Sequence, residues 1–282
     1  MGGKLTLKRM RLGRISYVNT VPFYHGLFDA DKAVQVVEGS PSEINELMYT
    51  NQLDSAPISS LEYALHQDQY CLFPDLCIGS RDFSRSVLLF SREQIEGLNH
   101  ETIILSSKSL SSQALLKILL KLKYEFHNQF VLHEGMPDDM LERGKAVLAI
   151  GDEALFYKPK EFIYKYDLSE LWWSWTNLPF CFSVWAVRKE FYEHSPREVF
   201  EFHRRLKETS QRNLQDLETL IRESLGITLA DDRFSAVFGY LFNLNYRLDQ
   251  EMMEGLRLFY EYAAQCQLAP KLNQIHFLEM PS

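Results

Sequence analysis

Five short runs of small polar residues stand where strands of this chain should end: 16–20, 55–60, 80–86, 106–112 and the pair Gly151-Asp152. Ser16, Asn19, Thr20, Ser59, Ser86, Ser109, Ser111 and Ser112 are the side chains of interest among them. Hydroxyls, together with backbone N–H groups at helix starts, bind carboxylates without lysine or arginine. The chemistry indicated is recognition of a small anion at the carboxyl ends of parallel strands, where open α/β sheets bind ligands. Each run also has a purely structural explanation. Ser59 and Ser109 suit helix caps, Asn19 precedes Pro22 closely enough to serve a turn, and Asp152 suits the start of a helix. His25, Arg81, Arg85, Trp172, Trp173 and Trp175 read as surface or packing residues. The convergence of several polar turns carries more weight than any one of them.

Other chemistries lack their signatures. There is no dinucleotide fingerprint, P-loop, HExxH or GxSxG pattern, and no His/Cys/Asp cluster at metal-ligand spacing. Neither a metal nor a cofactor is expected. Cys71, Cys77, Cys181 and Cys266 form no CxxC pair and read as free thiols of a reducing compartment. The formal charge of −8 disfavours nucleic acid and anionic membrane as partners. It also means that an anionic ligand needs locally arranged donors, which the polar runs supply. No stretch reaches membrane-spanning length, and no secretory signal follows the charged start. Met1, Gly2 and Thr6 fit a loose myristoylation pattern, but the preferred reading is a leader before Met10 on a cytoplasmic protein.

The elements that must position these runs follow from hydrophobic patterning. With 46% hydrophobic and 24% charged residues, the chain can bury a sizeable core. Apolar runs at 11–18, 34–37, 53–58, 87–90, 102–105, 130–132, 146–150 and 180–187 read as strands. Helical patterns cover 23–27, 61–66, 113–124 and 136–143, and another helix begins at Glu153. Ser40-Pro41-Ser42-Glu43 has the spacing of a capping box with proline at the first helical position, so a helix should run from there to about Asn51. Four further helices are expected at 196–209, 214–225, 230–241 and 249–265. Strand–helix alternation implies parallel pairing in two α/β units. The strands 87–91 and 182–188 bracket the second unit and should lie side by side as crossing strands. Lobe one would then take residues 10–90, lobe two 91–181, and 182–282 would return to complete lobe one. The expected fold is α/β and two-lobed, with a helical C-terminal tail and a ligand between the lobes.

Specific motifs sharpen this reading. The run Gly13-Arg14-Ile15-Ser16-Tyr17-Val18-Asn19-Thr20-Val21-Pro22-Phe23 resembles the chorismate dehydratases of the futalosine route to menaquinone. So do Leu53-Asp54-Ser55-Ala56-Pro57-Ile58-Ser59, Phe73-Pro74-Asp75, Ile150-Gly151-Asp152-Glu153-Ala154-Leu155 and Trp175-Thr176-Asn177-Leu178-Pro179-Phe180. The similarity runs in the same order from about Arg11 to beyond Gln265.

The resemblance implies a type II periplasmic-binding-protein fold used inside the cell as an enzyme scaffold, with chorismate as substrate and no cofactor. It also implies that Asn19 and Ser86 are catalytic, while Ser59, Ser111 and Ser112 are candidates for carboxylate binding. Ser16, Thr20, Ser109, Gly151 and Asp152 complete the expected substrate site. A homodimer is compatible with this reading. Two alternatives share the fold. One is a non-catalytic solute-binding protein, against which the absent export signal argues. The other is the sister enzyme that makes a naphthoate, whose motif differs from the 16–22 run.

Overall fold

The computed structural model describes residues 9–28, 34–160 and 163–279. The leader expected before Met10, with its acylation pattern, lies outside them apart from Arg9. Among the described residues, eleven strands form two sheets. They are β1 (Met10–Ile15), β2 (Val34–Gly39), β3 (Ser55–Ser59), β4 (Tyr70–Ser80), β5 (Val87–Ser91), β6 (Thr102–Ser106), β7 (Gln129–His133), β8 (Ala146–Ile150), β9 (Tyr164–Asp167), β10 (Phe180–Arg188) and β11 (Leu244–Asn245).

The first sheet has the order β11-β4-β10-β3-β1-β2 and the second β7-β6-β8-β5-β9. In the first, β1 runs parallel to β2 and β3, and β10 returns antiparallel between β3 and β4. In the second, β6 is parallel to β7 and β8, and β5 is antiparallel to β8 and β9. The carboxyl ends of β1 and β3 therefore share one edge, as do those of β6 and β8. The runs 16–20 and 106–112, the pair Gly151-Asp152 and the end of the run 55–60 lie at those edges.

Local sequence explains the main elements. Ser40 caps the helix Pro41–Tyr49 with both halves of the capping box made. The Ser40 hydroxyl accepts from the Glu43 N–H, and the Glu43 carboxylate accepts from the Ser40 N–H at 2.7 Å. Strands β5 and β8 are apolar along most of their length and buried throughout, as expected of interior strands flanked on both sides. The pattern at 113–124 belongs to a helix that begins earlier, at Leu110–Ile118, and continues as a π-helical turn, Leu119–Lys123. The C-terminal helices are Pro196–Gln215, Leu217–Leu225, Phe234–Asn243 and Gln250–Gln265. The first three pack with Phe23, Tyr24, Phe73 and Trp185 in a core on one side of the first sheet. The last helix joins a core that includes residues of both sheets. No helix among the described residues is long and apolar enough to cross a membrane.

Two expectations are corrected. The strands at 87–91 and 182–188 do not lie side by side: β5 pairs with β8 and β9, whereas β10 pairs with β3 and β4. Residues 87–90 accordingly belong to the second sheet, and Phe180 and Cys181 to the first. The reason is register with the nearest apolar partners. β5 docks on the fully buried β8 as soon as it leaves the 81–86 link. The chain crosses in that link and again at 177–179, where Asn177 takes a left-handed conformation after the helix Leu168–Thr176.

Candidate active site

Asn19 sits in a single 3-10 turn, Val18–Thr20, between β1 and the short helix Val21–Tyr24. Three sets of contacts hold that turn and the short helix after it. The Thr20 hydroxyl donates to the carbonyls of Ile15 (2.7 Å) and Tyr17 (2.9 Å). The Asn213 amide donates to the carbonyls of Pro22 and His25. The Val18 N–H donates to Asp152 Oδ1 at 3.2 Å, which ties the turn to the opposite sheet. Thr20 thus spends its hydroxyl on the backbone and braces the turn. Ser16 is exposed at the end of β1, its N–H bonded to Gly39 O. The Asn19 Oδ1 atom is buried and has no partner.

Ser86 ends the link from β4 to β5, and Asp167 organises that link. Its carboxylate accepts from the Ser84 hydroxyl (2.9 Å), the Arg85 N–H (2.6 Å) and the Ser169 N–H (2.9 Å). Arg85 has φ of +58°, a left-handed turn that aims the next residue inward. The Ser86 hydroxyl donates to the Tyr240 phenol oxygen at 2.8 Å, and the Ser86 carbonyl accepts from Gly151 N–H at 2.7 Å. Burial raises the Tyr240 phenol well above its usual range, while the Ser86 and Asn19 side chains pull the other way.

Gly151 opens the helix Gly151–Phe156 with φ of +62°. A Cβ there would stand 2.8 Å from the Tyr17 ring, so backbone and space both call for glycine. The adjacent Asp152 carboxyl is pushed up to about 6, chiefly by burial, against the Val18 N–H bond that lowers it. The Tyr17 hydroxyl is also buried without a partner. Asn19, Ser86, Gly151 and Asp152 therefore meet in one junction between the sheets, with Tyr17 and Tyr240 as its walls.

A second polar cluster joins the helices Ser60–Leu65 and Leu110–Ile118 at their N-termini. The Ser111 hydroxyl lies 3.0 Å from Ser59 Oγ and 2.9 Å from Ser60 Oγ, and accepts from Leu61 N–H. Ser59 caps its helix through Glu62 N–H, and its own N–H donates to Asn45 Oδ1. Ser109 caps the other helix and donates to Ser112 Oγ. Capping and site geometry thus coincide at Ser59 and Ser109.

Sequence reasoning missed Tyr17, Ser60 and Tyr240. Tyr17 and Ser60 lie within polar runs already singled out, so their positions gave a signal. Tyr240 lies in a helical tail with no motif, and only its fold-dependent approach to Ser86 identifies it. The residues read as surface or packing behave so. Trp172 is fully buried, Trp175 stacks on Tyr262, and His25 bonds Ser224.

Several known proteins resemble this chain. Chorismate dehydratase of Thermus thermophilus is 29% identical over 266 residues, spanning 89% of this chain and 93% of that protein. The crystal structure of protein AF1704 from Archaeoglobus fulgidus matches with a TM-score of 0.70 at 18% identity, covering 92% of this chain and 98% of that one. The periplasmic aliphatic sulphonate binding protein SsuA of Escherichia coli matches with a TM-score of 0.62 at 12% identity, covering 93% and 94%. The two structural likenesses establish a periplasmic-binding-protein-like fold. A family model described as menaquinone biosynthesis matches residues 10–265, nearly the whole described chain, and the protein belongs to that family.

Proposed function

We propose that the protein is a chorismate dehydratase, a carbon–oxygen lyase that removes water from chorismate to give 3-[(1-carboxyvinyl)oxy]benzoate in the futalosine route to menaquinone. The Thermus thermophilus relative and the motif run 13–23 support this reading. The observation that carries it is the junction itself: the turn that holds Asn19 and the residue Ser86, both implied by the motifs, are each bonded to the Gly151-Asp152 pair between the two sheets.

The reaction removes the hydrogen from the ether-bearing ring carbon and the hydroxyl from its neighbour. Formation of the aromatic ring drives it, and no electrons are gained or lost. The protein's task is orientation, together with preorganised dipoles at developing charge. A carboxamide is not a base at neutral pH. Asn19 is therefore cast as a hydrogen-bonding group, and a carboxylate of the substrate as the proton acceptor. Ser86 would bond the departing hydroxyl. Ser59, Ser111 and Ser112, at the helix starts, are proposed to hold carboxylate. Ser16, Ser109, Gly151 and Asp152 would border the bound molecule, with Thr20 bracing from behind. The four cysteines are free and buried, in keeping with the cytoplasm, where we place the protein.

Asn19→Ala and Ser86→Ala should each lower kcat on chorismate by about 10²-fold, the scale for losing one preorganised hydrogen-bonding group. Circular dichroism and melting temperature should stay close to wild type. Wild-type turnover in both variants would reject this site.

A further inference from the structure

We propose that the outer face of the helix Phe234–Asn243 is a homodimer interface, on which a second copy of this chain packs antiparallel about a two-fold axis at Phe238. The inner face of that helix is spoken for: Val237, Tyr240 and Leu241 join the core of the first lobe. On the outer face Phe234, Phe238 and Phe242, spaced four apart, form a ladder of stacked rings. Successive ring centroids lie 5.9 and 6.2 Å apart, with interplanar angles of 28° and 10°. Exposure climbs along the ladder: Phe234 is half-buried, Phe238 is 37% exposed and Phe242 71%. An outward helix face is ordinarily charged or polar, yet this helix holds no charged residue at all.

The two ends of the helix point to the occupant. Ahead of its N-terminus Leu229 stands 67% exposed in a tight turn, closed by the Asp231 N–H on Thr228 O at 2.9 Å. Asp232, also exposed, makes no ion pair among the described residues. At the other end a groove of about 490 Å³ opens beside Phe242, walled by Leu214, Leu217, Leu241 and Leu244. Arg247 borders that groove, and its exposed side chain makes no ion pair among the described residues either. An antiparallel pair lays Phe238 on its own copy and sets each protruding Phe242 against a recessed Phe234. The same arrangement brings each Leu229 to the other copy's groove and each Asp232 to the other copy's Arg247. Every contact is then made twice, as an isologous interface requires. A parallel pair would instead oppose arginine to arginine and aspartate to aspartate. Leu229, Phe238 and Phe242 expose about 300 Å² of apolar surface per copy. Two copies supply about 600 Å², a suitable core for an interface of about 1,200–2,000 Å² with a polar rim. Because the helix is anchored in the first lobe, such a dimer leaves the second lobe free to move.

The test is analytical ultracentrifugation of the full chain at low salt, from about 1 to 100 μM. We expect a monomer–dimer equilibrium with a dissociation constant on the order of 10 μM or tighter. Phe238→Glu sets two carboxylates against each other on the axis and should weaken association at least about 10-fold. The exposed charges give a second check that leaves the ladder and the core untouched. Asp232→Arg or Arg247→Asp alone should weaken association about 5-fold, and the two together should return it to within about 2-fold of wild type. Circular dichroism should be that of wild type in the charge variants. Wild-type protein that stays monomeric to about 100 μM would overturn the proposal and leave the ladder to a different partner. Association untouched by Phe238→Glu, or charge reversals that fail to restore it when combined, would overturn it too. Chorismate turnover has no part in the readout, so the dimer and the dehydratase reading stand or fall separately.

Discussion

Asp152 joins two roles in one carboxyl group: it receives the Val18 N–H from across the junction, and burial holds its proton to about 6. In the unfolded chain it ionises near 3.8. Between those values the folded state binds more protons than the unfolded one. Its contribution to stability is therefore fully present below the unfolded value and lost as pH rises through about 6. Asp152→Asn keeps an oxygen for Val18 and removes the titration. Denaturant unfolding at pH 4 and pH 7 should show the variant gaining on wild type at the higher pH, by on the order of 2 kcal/mol. Glu62 and Asp167 are raised by burial too, but they titrate in both proteins and cancel in the comparison. An equal pH dependence in the two proteins would contradict the account of this carboxyl. At this scale the motifs showed which residues to watch, yet not what each does. Thr20 looks like a ligand group in sequence, and its hydroxyl turns back to its own backbone. Tyr240 carried no local signal, since its contact with Ser86 is made across 154 positions of chain.

The 81–86 link is the element on which the placement of Ser86 depends. Asp167 gathers three donors from the link and from the start of the next helix. Asp167→Ala would leave the buried Ser84 hydroxyl and two backbone N–H groups unpaired. The expected cost is about 3 kcal/mol, read by denaturant unfolding, with kcat lowered as Ser86 loses its frame. A loss below about 0.5 kcal/mol would show that the link is held by other means. Patterning succeeded where elements follow simple periods: the capping box at Ser40, the buried strand Ala146–Ile150 and the C-terminal helices all read directly. It failed at β4, where Pro74 and a left-handed Asp75 interrupt the run and the pairing with β10 is irregular. It also failed at Leu168–Thr176, where three tryptophans hide an amphipathic helix capped by Asp167.

For the molecule as a whole, alternating strands and helices made the two-lobed α/β plan legible, while the sheet order was not. Order depends on long-range pairing such as β10 entering between β3 and β4, which no local pattern encodes. The two lobes touch through Val18 with Asp152, Gly151 with Tyr17, and Ser59 with Ser111. We propose that ligand closes the lobes on these contacts. Saturating product should then slow hydrogen exchange at the Val18 and Leu61 amides, both bonded across the junction, at least 10-fold; unchanged exchange at both would contradict closure.

The central claim is tested most directly by incubating the purified protein with chorismate alone and following both compounds by chromatography and mass. The account predicts that chorismate disappears and an equal amount of 3-[(1-carboxyvinyl)oxy]benzoate forms, 18 mass units lighter by the loss of one water. Chorismate that persists beside an active control enzyme, or that turns into any other compound, would contradict it.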